Sequence, residues 1–167
     1  MDNIDYLKQI FDDIRKESEN TTQKGKRFEN LIQQWLMAEP TYKDNYLKVL
    51  TYSAWVDEFG GQFGFKNHND IGIDLVAQNA DNTNTFTAIQ CKFYSEDNTI
   101  TKDEMNSFFT ASENTCFTTR ILVSSNQKLS ENFKETSNTS SKDMIWIKYS
   151  DLANSTVDWE YFLHKNS

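Results

Sequence analysis

The sequence predicts an α/β architecture, a mixed central β-sheet flanked by helices. Three observations carry that expectation. Apolar residues recur at helical spacing through the first 36 residues. Two short apolar strands follow, joined by a segment rich in Asn and Asp. Beyond them, helical and strand patterns alternate to the C-terminus.

Ile4, Leu7, Ile10, Phe11 and Ile14 fall on one face of a helix, which the spacing predicts from Asn3 to about Ser18. The polar stretch Glu19 to Thr22 precedes a second helix, starting near Thr22 or Gly25. That helix carries Phe28, Leu31, Ile32, Trp35 and Leu36 on one face and ends before Pro40. Asp44 to Leu50 fits either a helix or a strand. The aromatic, glycine-rich stretch from Trp55 to Gly64 reads as an ordered loop. The segments Asp70 to Ala77, in which Asp74 opens the strand, and Ala88 to Tyr94 each read as a strand, with Gln78 to Thr85 as a hairpin connection. Thr101-Lys102-Asp103-Glu104 matches a capping box, ahead of a helix that buries Met105, Phe108 and Phe109. Strands are expected over Arg120 to Ser124 and Met144 to Ile147, and helices over Leu129 to Glu135 and Val157 to Leu163. Thr136 to Ser141 reads as a surface loop.

The length of 167 residues suits one domain, with an N-terminal helix over 1–22 ahead of a core over 23–167. No apolar run approaches membrane-spanning length, and no signal peptide is visible at the N-terminus. Cys91 and Cys116 lack metal-ligand spacing, and Cys91 reads as a buried free thiol. A reducing, cytoplasmic setting is the natural expectation. The 25 acidic residues outnumber the 17 basic ones, which argues against a simple nucleic-acid-binding module. Nothing resembles a serine nucleophile elbow or a phosphate-cradling glycine loop.

The chemistry concentrates in two segments. Asp74 opens the first strand, after Gly72-Ile73. Gln90 and Lys92 lie two apart on the second strand and share a face, while Ile89, Cys91 and Phe93 point to the other. Antiparallel pairing brings Asp74, Gln90 and Lys92 together. A carboxylate, an amide oxygen and an ammonium are the groups needed to hold a hard cation against a phosphate. On its own, a Gln-x-Lys triplet is an ordinary solvated strand face. Its pairing with Gly-Ile-Asp, and the helix that follows, is what makes it informative.

This pattern resembles the PD-(D/E)xK nucleases in their Mrr-like branch, where Gln replaces the second acidic residue. Gly72-Ile73-Asp74 and Gln90-Cys91-Lys92 carry the core of the likeness, and Gly25 to Glu29 looks like the family's first helix. Phe93-Tyr94, Thr99-Ile100-Thr101 and Ser107 to Ser112 extend it toward the N-terminal nuclease domain of type ISP restriction-modification enzymes. The resemblance implies a restriction-endonuclease-like fold and a Mg²⁺-dependent deoxyribonuclease, with Mn²⁺ able to substitute. Asp74, Gln90, Lys92 and Glu29 are the implied catalytic residues, and Asp74, Gln90 and the Cys91 carbonyl the implied metal ligands. Double-stranded DNA is the implied substrate, with a fused or associated helicase-type translocase motor and a methyltransferase as partners, and no membrane. The residues leave a second reading open, a catalytically silent DNA-binding or interaction module on the same fold. Glu29 reads equally as a helix-surface acid, Asp70 as a turn former more than as a second metal-site carboxylate, and His68 as a surface histidine. Lys24, Lys26 and Arg27 read as solvated charges or phosphate contacts.

Overall fold

In the computed structural model, residues 1–68, 71–131, 133 and 142–166 are described. Asp70, three residues of the helix expected over Leu129 to Glu135 (Asn132, Lys134 and Glu135), and the Thr136 to Ser141 loop lie outside them.

Two amphipathic helices come first, α1 (Asn3–Glu17) and α2 (Thr21–Leu36). Asn20 caps α2 by accepting from the Gln23 amide at 2.8 Å. The ambiguous stretch before Thr51 is a strand, β1 (Tyr46–Thr51). The expected loop from Trp55 to Gly64 is instead helical: α3 (Tyr52–Glu58), then a 3₁₀ turn over Gly60–Phe63. Thr51 caps α3 through its hydroxyl, and Tyr52, Trp55 and Val56 are buried, so packing of the aromatic face holds this short helix.

The hairpin β2 (Leu75–Asn79) and β3 (Phe86–Lys92) forms as expected, with Leu75 opposite Ile89. A 3₁₀ turn (Asp103–Met105) leads into α4 (Asn106–Ala111), and Thr101 and Glu104 make the reciprocal bonds of the capping box. Then follow β4 (Phe117–Ser124), β5 (Asp143–Ile147), the short helix α5 (Tyr149–Ala153), and α6 (Trp159–Lys165). The sheet runs in chain order from β1 to β5. β1, β2 and β3 pair antiparallel, and β3, β4 and β5 pair parallel, giving the mixed sheet expected of a restriction-endonuclease-like fold.

Both faces of the sheet are covered. On one, α1, α2 and α6 pack on Leu75, Ala77, Ile89, Cys91, Ile121 and Val123. On the other, Tyr52, Trp55, Phe108 and Phe117 pack on Val76, Ala88 and Leu122. The N-terminal helix belongs to the first cluster, and Asn3 ties it to the C-terminal segment by accepting from the Trp159 amide at 3.0 Å. Gln90 and Lys92 were expected to face away from a core. Their face carries the second core instead, and Gln90 is only 8 % exposed.

Candidate active site

Asp74 sits one residue before β2, at the junction of three segments. Its amide donates to the Ile89 carbonyl at 3.0 Å, and its carbonyl accepts from the Tyr52 amide at 3.1 Å. The residue is thus fixed between the β1–α3 corner and β3. Its side chain is fixed as well, because the Cys91 amide donates to Oδ2 at 2.8 Å. The strand register, one step beyond Leu75–Ile89, sets Asp74 across from Gln90.

Gly72 makes this corner possible. Its φ of +102° lies where a side chain is strained, and an added Cβ would stand 2.7 Å from the Phe108 nitrogen and the Ser107 carbonyl carbon. The loop that delivers Asp74 therefore rests directly on the backbone of α4.

Gln90 is buried, and its side-chain oxygen has no hydrogen-bond partner among the described residues. An orphaned acceptor at this depth costs free energy unless something takes it up. Among the described residues, no three His, Cys, Asp or Glu side chains gather as a metal cluster. The donor set here is of another kind: one carboxylate, one amide oxygen and the backbone carbonyl of Cys91. That all-oxygen set suits a hard divalent cation that keeps much of its water, and the orphaned Gln90 oxygen fits such a ligand.

Glu29 projects from α2, its side chain 15 % exposed and 3.6 Å from the Lys26 ammonium. Burial pushes the Cys91 thiol well above its usual range. The Asp74 and Glu29 carboxylates add to that rise, and Lys92 opposes it. Asp74, Glu29 and Lys92 therefore all lie near the Cys91 thiol, where β2 begins and β3 ends. Lys92 is half-buried, with its ammonium 5.9 Å from the centre of the Tyr94 ring.

A cavity of about 100 Å³ opens beside Asp74, lined also by Lys26, Ser53 and His68. His68 is half-exposed and contacts Asp57. Arg27 turns away, toward the Asp13 carbonyl, Ser18 and Glu17, and so ties α2 to α1. Three site features were invisible in the sequence: the Cys91 amide, the Tyr52 amide and the burial of Gln90. The first two are backbone groups, placed by register and by a corner rather than by residue type.

A five-stranded mixed sheet with this corner at the β2–β3 edge is the core of a nuclease fold, and the comparisons agree. A family model described as restriction endonuclease, Mrr_cat_2, matches residues 37–167, and the chain belongs to that family. The match includes Asp74, Gln90, Cys91 and Lys92 and begins beyond Glu29. Among solved structures, the chain is similar to the ATP-dependent type ISP restriction-modification enzyme LlaBIII, in a structure bound to DNA. The two are 31% identical, with a TM-score of 0.69, over 90% of this chain. The matched part is 9% of the LlaBIII chain. A DNA modification-dependent restriction endonuclease, AspBHI, aligns at 9% identity and a TM-score of 0.46, over 85% of this chain and 39% of its own. No curated protein sequence matches. The chain is a nuclease domain of the restriction-endonuclease type, and among its described residues no helix is long and apolar enough to cross a membrane.

Proposed function

We propose that this domain hydrolyses phosphodiester bonds of double-stranded DNA at Asp74, Gln90 and Lys92, with Mg²⁺ as cofactor and Mn²⁺ able to replace it. The observation that carries the reading is the buried oxygen of Gln90, without a partner among the described residues, on the residue the register sets across from Asp74, whose carboxylate is held by the Cys91 amide. Asp74, the Gln90 oxygen and the Cys91 carbonyl would hold the cation. When bound, it lowers the pKa of a water and offsets negative charge that builds on the phosphate.

The chain's own groups do the rest. The Cys91 amide holds the Asp74 carboxylate in one orientation, so little is reorganised as charge develops. The Lys92 ammonium donates to the attacking water or to a phosphate oxygen, and its positive charge stabilises the transition state. Glu29 polarises a second water or holds a second cation. Gln90 in place of a carboxylate leaves the site one negative charge poorer, which weakens its hold on a cation.

Delivery of DNA comes from outside this domain. With 25 acidic and 17 basic residues, the domain has little of the basic surface that supplies affinity for phosphate. A translocase motor and a methyltransferase, fused or associated, would raise the local DNA concentration in a cytoplasmic restriction-modification enzyme. The similarity to LlaBIII supports that setting.

The test is nicking of supercoiled plasmid by the domain in Mg²⁺ or Mn²⁺, paired with gel shifts in Ca²⁺. Slow nicking that EDTA abolishes, with weak binding that divalent metal strengthens, is expected. Tight, metal-independent binding without nicking would favour the silent DNA-binding module.

A further inference from the structure

Lys92 is the cation on which the proposed chemistry turns, and its ammonium needs a fixed direction. Among the described residues, the contact that ammonium makes is with the face of Tyr94, at 5.9 Å from the ring centre. A carboxylate partner would hold the ammonium but would also cancel the charge that phosphate needs. An aromatic face holds it by its quadrupole and leaves all three N–H donors available.

Tyr94 is itself held at both ends. Its amide donates to the Ser125 hydroxyl at 2.7 Å, and that hydroxyl donates back to the Tyr94 carbonyl at 2.6 Å. The Ser125 amide donates to the Lys92 carbonyl at 3.0 Å, so one serine at the end of β4 fixes the backbone of both residues. Glu104 faces the far end of the ring: burial, followed by the charge of that carboxylate, pushes the phenol up to about 12. Glu104 is fixed in turn by the Thr101 amide at 3.3 Å. The backbone of Tyr94 is thus tied to the end of β4, and its ring reaches toward the turn before α4.

We infer that Tyr94 is a positioning residue, whose ring face sets the direction of the Lys92 ammonium for the reaction. The inference rests on the nuclease reading proposed above. The ring face does the work and the hydroxyl is not needed for it, so Phe should substitute where an aliphatic residue should not.

The experiment compares wild type, Tyr94→Phe and Tyr94→Leu in three measurements. The first is the NMR shift of the Lys92 ε-methylene protons, without metal or DNA. It should be displaced upfield by the ring in wild type and Tyr94→Phe, and return to the random-coil position in Tyr94→Leu. The second is plasmid nicking in Mn²⁺ at saturating DNA. Turnover should fall about tenfold in Tyr94→Leu and stay within about threefold of wild type in Tyr94→Phe. The third is plasmid binding in Ca²⁺, expected to stay within about twofold in all three proteins, since a merely structural loss would weaken binding as well.

A folded Tyr94→Leu protein that nicks like wild type would overturn the inference. So would a Tyr94→Phe protein as impaired as Tyr94→Leu, or a Lys92 methylene unshifted in wild type. The last holds even if Tyr94→Leu does not fold. A wild type that shows the shift but never nicks overturns the nuclease reading and takes the positioning role with it, and the shift tells that failure from a missing contact.

Discussion

The backbone amide of Cys91 donates to Oδ2 of Asp74 at 2.8 Å, just beyond the regular ladder of the β2–β3 hairpin. That one bond separates two roles of Asp74, as acceptor and as charge, and they can be taken apart by substitution.

Asp74→Asn keeps an oxygen for the Cys91 amide and removes the charge. Nicking should disappear while the melting temperature changes little. Asp74→Ala strips the amide of its partner and should cost about 1–3 kcal/mol. Parallel thermal melts and nicking assays read both effects, and equal melting of the two variants would show that the bond contributes nothing.

Gln90 is kept at a cost to stability. Its buried oxygen has no partner among the described residues. Gln90→Leu should fold at least as stably as wild type, by up to about 1–3 kcal/mol in its favour, and should not nick DNA. Urea unfolding measures the first and plasmid relaxation the second. Gln90→Glu restores an acidic ligand and should bind Mn²⁺ more tightly by calorimetry.

Gly72→Ala should be among the costlier single changes. It combines a φ of +102° with a Cβ 2.7 Å from the backbone of α4, and neither backbone can give way cheaply. A loss of more than about 2 kcal/mol is expected, or roughly 4–8 °C in melting temperature for a chain of this size. Because the same loop delivers Asp74, nicking measured well below the melting point should also fall.

Away from the site, Arg120 is buried on β4 and donates to Glu113 at 2.6 Å. That bond holds the Glu113 carboxyl below its ordinary value of 4.5, with burial opposing it. A depressed folded-state value means the contribution is present above pH 4.5 and is lost as pH falls through the folded-state value. Glu113→Gln should therefore be less stable than wild type at neutral pH, and the difference should close in strong acid. Urea titrations at about pH 7 and about pH 3 test this, and a difference that widened in acid would contradict it.

The helices α1 and α2 were legible because Leu7, Ile10, Phe11 and Ile14, then Phe28, Leu31, Ile32 and Trp35, each repeat at helical spacing and are buried as that spacing requires. The β2–β3 hairpin was legible because Ile89 and Cys91 alternate with Gln90 and Lys92. The helix α3 was not. Seven residues hold too few turns for a period to show, and its Tyr52 and Trp55 favour strands by propensity; their burial against Phe65 and Phe86 makes the helix. The five residues of α5 went unseen for the same reason of length. At the site, Asp74, Gln90 and Lys92 could be read as side-chain types on neighbouring strands. Alternation alone could not say that the Gln90 face is covered by a second core, because that cover comes from α3 and α4, whose packing is non-local.

Asp74 and Lys92 are proposed above as the core of a metal-dependent phosphodiesterase site. The most direct measurement is the relaxation of supercoiled plasmid in a Mn²⁺ series, by wild type, Asp74→Asn and Lys92→Ala, each first shown to be folded by circular dichroism. Relaxation by wild type should rise with Mn²⁺ and stop with EDTA, and neither variant should relax plasmid above background. Relaxation by the folded variants at the wild-type rate would contradict that proposal.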